Sequence, residues 1–143
     1  MIIKLCFEGF KPVSLNDSTK ISRYGGRKSS KYINLEQQIN HQIRAFREQL
    51  ILINEKYDEY EHYVTLDMRF YYPILTKDRT TKRMRISKTS MDIFNIPKTT
   101  EDCIFKHLIM DDSQVITGSS TKIHSKDIKM EVEIQLKPLR SIL

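Results

Sequence analysis

The sequence predicts an α+β domain in which two helices pack on one face of a small mixed sheet. Three observations point there. Apolar and polar residues alternate in several separated segments, the mark of half-buried strands. Two other segments carry apolar residues at spacings of three and four, the mark of helices. The elements follow in the order strand, helix, strand, helix, strand, strand. With no internal repeat and no dividing linker, the 143 residues are expected to form one domain, residues 1–143.

In "MIIKLCFEGF", Ile3, Leu5 and Phe7 alternate with Lys4, Cys6 and Glu8, which reads as the first strand. Residues Lys11 to Lys31 show neither period, and "SRYGGRKSSKY" within them is rich in Gly, Ser and cations, so a mobile basic loop is expected. In "NLEQQINHQIRAFREQLILINEKY", Leu35, Ile39, Ile43, Phe46, Leu50 and Ile53 form one apolar stripe of a long helix, with Asn34 as its N-cap and Gln37 placed for a capping box. "HYVTLDMRFYYPI" sets Val64, Leu66, Met68 and Phe70 on one dry face of a strand that ends at Pro73. "LTKDRTTKRMRISK" follows as a basic segment with one acid, Asp78. A second helix is expected from Ile96 to His107, capped by Asn95, with Pro97 in the first turn, where an amide has no helical partner. Gln114 to Ile123 and "KMEVEIQLKPL" complete the strands, the latter with Met130, Val132, Ile134 and Leu136 facing one way.

The net charge of +6 suits an anionic partner. No apolar run approaches the roughly 18 residues of a membrane span, and the short apolar start carries Glu8 and no small-residue cleavage site, so neither a membrane protein nor a signal peptide is expected. Cys6 and Cys103 form no spaced motif, which fits a reduced, cytoplasmic protein. Cys103 and His107 share a helix face, but two ligands do not make a zinc site.

Residues 90–115, "SMDIFNIPKTTEDCIFKHLIMDDSQV", hold the chemistry. Asp92 precedes the second helix, Lys98 lies on its first turn, and Asp111 and Asp112 follow it. Singly, each has an ordinary explanation: aspartates cap helices and form turns, and helix lysines are solvated. Together they suit phosphodiester hydrolysis, which needs a water nucleophile and relief of phosphate charge. Hard carboxylate oxygens holding Mg²⁺ supply both. Convergence of the acids requires that the strand after Asp112 lie beside the one leading to Asp92.

"DIFNIPKTTEDCIF…IMDDSQV" resembles the core motif of the RusA-type Holliday junction resolvases: Asp-x-Asp-Asn-x-x-Lys, a helix with an internal Asp, then Asp-Asp-x-x-Val leading into a strand. Asp92, Asn95, Lys98, Asp102, Asp111, Asp112, Gln114 and Val115 fall in register. "PVSLN" after the first strand matches the family's Pro-x-Ser-x-Asn turn. The resemblance implies the family's fold and a Mg²⁺-dependent endodeoxyribonuclease, with Mn²⁺ as substitute ion. Such an enzyme resolves four-way DNA junctions by paired nicking as a homodimer, a family common on phage and viral genomes. It implies Asp92 and Asp112 as catalytic, metal-binding acids, Lys98 as the catalytic lysine and Asp111 as an auxiliary acid of the metal site. One position departs: the second acid of Asp-x-Asp is Phe94, which cannot ligate a metal, leaving Asp78 or Asp111 as substitutes.

The cations fit a DNA partner, since they displace counterions along the backbone without reading bases. Arg23, Arg27, Lys28 and Lys31 in the first basic segment, and Lys77, Arg79, Lys82, Arg83, Arg85 and Lys88 in the second, are the expected contacts. A homodimer would carry +12, twice +6. Two other readings follow from the residues: a junction-binding protein weakened or inactivated by Phe94, and a general DNA- or RNA-binding adaptor whose acids are structural.

Overall fold

The computed structural model describes residues 1–14, 19–22, 25–91, 93–94 and 96–143. Its main sheet has four strands in the order β1 (Ile2–Glu8), β8 (Lys129–Pro138), β4 (His62–Tyr72) and β7 (Val115–His124). β1, β8 and β4 pair antiparallel, and β7 joins β4 in parallel, so the sheet is mixed as expected.

Alternation in the sequence becomes rows across the sheet. The register aligns Ile3, Ile134 and Leu66, then Leu5, Val132 and Met68, then Phe7, Met130 and Phe70. All nine side chains are buried. The intervening row of Lys4, Glu133 and Asp67 is more exposed, and Lys4 pairs with Glu133 at 4.0 Å. A one-residue slip would turn every apolar row to solvent, so burial itself fixes the register.

The predicted long helix is two helices, α1 (Ser30–Gln42) and α2 (Arg47–Lys56), joined by a 3₁₀ turn at Ile43–Phe46. It starts five residues before the expected point: Ser29, not Asn34, is the N-cap, and its hydroxyl accepts from the Tyr32 amide at 3.2 Å. Tyr32 extends the buried stripe by one more turn before Leu35. Two helix glutamines reach the outer strand: the amide of Glu8 donates to Gln42 Oε1 at 2.7 Å, and the amide of Lys4 to Gln49 Oε1 at 3.2 Å. They occupy backbone groups that an edge strand otherwise leaves open.

The expected basic loop and the second basic segment both contain strands. Within residues 11–31, β2 (Thr19–Ser22) pairs with β3 (Gly25–Lys28), while residues 15–18, 23 and 24 lie outside the described residues. In the second segment, β5 (Leu75–Lys77) pairs with β6 (Met84–Ile86). The expected second helix is α3 (Ile96–Phe105), ending two residues early. It buries Ile96, Thr99, Thr100, Cys103 and Ile104, and the Thr99 hydroxyl donates to the carbonyl of Val13, which follows Pro12 after the first strand. Cys6 and Cys103 are both free. Among the described residues, no helix is long and apolar enough to cross a membrane.

Candidate nuclease site

Lys98 is the centre of the described site. From the first turn of α3 its ammonium donates to Asp112 Oδ2 at 2.7 Å, and it lies 3.1 Å from Asp102 Oδ1. Asp102 is one turn further along the same helix, the spacing at which helix side chains meet. Asp112 comes from beyond the helix, in the 3₁₀ turn Asp112–Gln114 that leads into β7. Residues 14 positions apart in sequence are thus joined by one ammonium. The hydrogen bond to Asp112 raises the Lys98 pKa above its ordinary value, outweighing partial burial, so Lys98 is cationic at neutral pH.

Two further links hold this turn in place. The Asp111 carboxylate caps it, Oδ1 accepting from the Ser113 amide at 2.8 Å, and that bond lowers the Asp111 pKa. The Tyr57 hydroxyl, just beyond α2, donates to Gln114 Oε1 at 3.1 Å. The turn therefore rests on both the long helical segment and its own cap.

Asp92 and Asn95 lie outside the described residues. Their neighbours are placed. Lys122 on β7 donates to the Met91 carbonyl at 2.9 Å and to Ser90 Oγ at 3.2 Å, which ties the approach to residue 92 to the strand that begins after Asp112. β7 lies beside β4, paired in parallel, the strand neighbour that convergence of the acids required, and the Lys122 side chain adds a direct link to the approach to residue 92.

Phe94 is 86% exposed. With Ile93 it borders a cavity of about 340 Å³ whose floor is Leu66, Met68, Gly118 and Ser120 and whose α3 side is Glu101. Burial raises the Glu101 pKa; Lys98 opposes the shift, and Asp112 and Asp102 add to it. Glu101 is a carboxylate the sequence reading missed. Its signal was its place three residues after Lys98, on the same helix face. The two acids weighed there as substitutes for a ligand at 94 have other tasks. Asp78 Oδ1 accepts from the amides of Thr80 and Thr81 at 2.9 and 2.8 Å, and Asp111 caps its turn.

The donors are hard carboxylate oxygens, the right kind for Mg²⁺ or Mn²⁺. Among the described residues, however, no three acidic, His or Cys side chains are grouped to hold an ion. A closed metal site needs an acid from outside them; Asp17 and Asp92 are the two acids the sequence has there, and Asp92 is the one in register with the family motif.

The expected DNA contacts divide. Lys77, Arg79, Lys82, Arg83, Arg85 and Lys88 are all exposed on or beside the β5–β6 hairpin. Arg27 and Lys31, before and after Lys28 in the chain, are exposed. Lys28 is engaged: it lies 3.1 Å from Glu36 Oε2 and sits over the Tyr32 ring, a place it shares with Lys106. Arg23 lies outside the described residues.

The family model described as endodeoxyribonuclease RusA matches residues 14–135, from just after Val13 through most of β8. No curated protein matches the chain. The substrate of such a family is DNA, and its nucleases are generally divalent-metal dependent. The match covers the acids, the lysine, β4, β7 and most of β8, and the chain belongs to the RusA endodeoxyribonuclease family.

Proposed function

We propose that the protein is a structure-selective endodeoxyribonuclease that resolves four-way DNA junctions by paired nicking. The observation that carries this reading is the Lys98–Asp112 contact at 2.7 Å in a chain of the RusA family. Asp92 and Asp112 are the acids proposed to hold Mg²⁺ or Mn²⁺, with Asp111 beside them and Glu101 as the carboxylate on the Phe94 side. The bound ion would supply charge neutralisation at the phosphate and a more acidic water.

The remaining roles belong to this chain's own groups. Hydrolysis adds a water oxygen to phosphorus and releases one ester oxygen, so negative charge grows on the phosphoryl oxygens. Lys98, cationic and held between Asp102 and Asp112, would meet that charge. The exposed cations of the β5–β6 hairpin would bind flanking phosphates. A homodimer, with two equivalent sites, would match the two cuts a junction needs.

The test is cleavage of a four-way junction in Mg²⁺ by wild type and by Asp112→Asn. Product from wild type alone supports the site, and equal product from both overturns it. A second reading rests on Phe94, an exposed phenyl ring where the family's motif has an acid: a junction-binding protein of the same fold with weak or no cleavage. It predicts binding without product in either ion, and gain of product on Phe94→Asp.

A further inference from the structure

The β5–β6 hairpin is built to show apolar side chains to its surroundings. Leu75 pairs with Ile86 and Lys77 with Met84, so Leu75, Met84 and Ile86 share one face, while Thr76 and Arg85 share the other. Met84 is 59% exposed, Ile86 62% and Leu75 37%. The two strands form a sheet of their own.

A short two-stranded ribbon is marginal in water unless something holds it. Here the hold is polar and local. Asp78 Oδ1 accepts from the amides of Thr80 and Thr81, and its own amide donates to the Arg83 carbonyl at 2.8 Å. Lys82 takes a φ of 61°, which closes the turn. At the base, the Ser87 amide donates to the Ile74 carbonyl at 2.8 Å, and His124 Nδ1 at the end of β7 accepts from the Ile74 amide at 3.1 Å. The ribbon is therefore pinned to the main sheet at one end, with its apolar face uncovered.

Charge says what covers it. Lys77 lies on that face and Arg79, Lys82, Arg83 and Lys88 are exposed on the turn and beside the hairpin, while the one acid, Asp78, is occupied by the turn and by Arg85 at 3.7 Å on the opposite face. The complementary partner is a polyanion that also offers flat apolar surfaces. Continuous duplex offers phosphates but keeps its base faces stacked. A branch point offers both, because the stack is interrupted where strands exchange. Leu, Ile and Met are among the side chains that wedge between base steps.

We propose that the β5–β6 hairpin is a wedge for branched DNA: Leu75, Met84 and Ile86 lie against base faces opened at the branch point, and the adjacent cations hold the flanking phosphates. This rests on the DNA-nuclease reading above and adds the element that selects structure.

The test uses the full chain in EDTA, to prevent cleavage, with four-way junctions carrying 2-aminopurine either at the branch point or within an arm. Wild type is expected to raise fluorescence several-fold at the branch point and not in the arm. Met84→Ser/Ile86→Ser changes only exposed side chains. It is expected to lose that rise and at least ten-fold of the preference for junction over duplex, with duplex affinity unchanged. Arg79→Ala/Arg83→Ala is expected to weaken junction and duplex alike. A serine variant that keeps the rise and the preference overturns the wedge while leaving the nuclease reading intact. Wild type that neither binds nor cuts junctions overturns both. If the serine substitutions instead abolish binding to phosphatidylserine vesicles, or dissociate a dimer in sedimentation, with the fluorescence rise retained, the face belongs to a membrane or a second copy and the wedge is wrong.

Discussion

Lys98→Met separates catalytic placement from structural support. The substitution keeps an unbranched side chain of similar reach and removes the charge. At 2.7 Å, the attraction between Lys98 and Asp112 in water is about 1.5 kcal/mol by Coulomb's law. Lys98 and Asp112 are 45% and 36% exposed, so screening and side-chain entropy reduce the net contribution to at most about 1 kcal/mol. That corresponds to a fall in melting temperature of roughly 2–4 °C for a chain of this size. Removing a preorganised donor from developing charge costs far more, about 100- to 1,000-fold in rate. The assay is single-turnover cleavage of a four-way junction beside a thermal melt of the same preparations. The Lys98 pKa is raised, so its stabilising contact is fully present below the ordinary lysine value and is lost only as pH rises through the folded one. The melting difference between the two proteins is therefore flat from pH 6 to 9. Unchanged cleavage would refute the role of Lys98. A fall of more than about 10 °C in melting temperature would show that its contact is chiefly structural.

Three further outcomes follow from particular residues. A methyl group on Gly118 would sit 2.8 Å from the Leu66 carbonyl oxygen, so Gly118→Ala must push β7 from β4; urea unfolding is expected to show a loss of about 1–3 kcal/mol. Burial lowers the His107 pKa, so the unfolded chain binds its proton more readily and stability falls as pH drops through about 6.5; His107→Gln is expected to flatten that part of a pH–melting profile. Phe94→Asp adds a carboxylate at the family's second acid position, and is expected to tighten Mn²⁺ binding measured by calorimetry and to increase junction cleavage.

What the sequence disclosed follows from where burial leaves a periodic trace. Ile3, Leu5 and Phe7, and Met130 to Leu136, alternate because one face of each strand is dry, and the structure pairs them row by row. The helix start was misjudged because Ser29 and Asn34 are both good caps, and only the buried Tyr32, three residues before Leu35, favours the earlier one. The two hairpins left no such trace. β5 and β6 have no buried face, and their turn is held by hydrogen bonds of Asp78 that composition does not reveal. At the site, the register of the family motif brought Lys98 and Asp112 into view, and the structure joins them. Glu101 was hidden because a glutamate on a helix normally reads as a solvated face; its place beside the Phe94 cavity depends on how α3 meets β4 and β7.

Calorimetric titration of Mn²⁺ into the DNA-free protein tests most directly whether acids from separate segments gather a divalent ion. Wild type is expected to bind, and Asp92→Asn and Asp112→Asn are each expected to bind at least ten-fold more weakly while melting within a few degrees of wild type. Affinity unchanged by both substitutions would contradict the site.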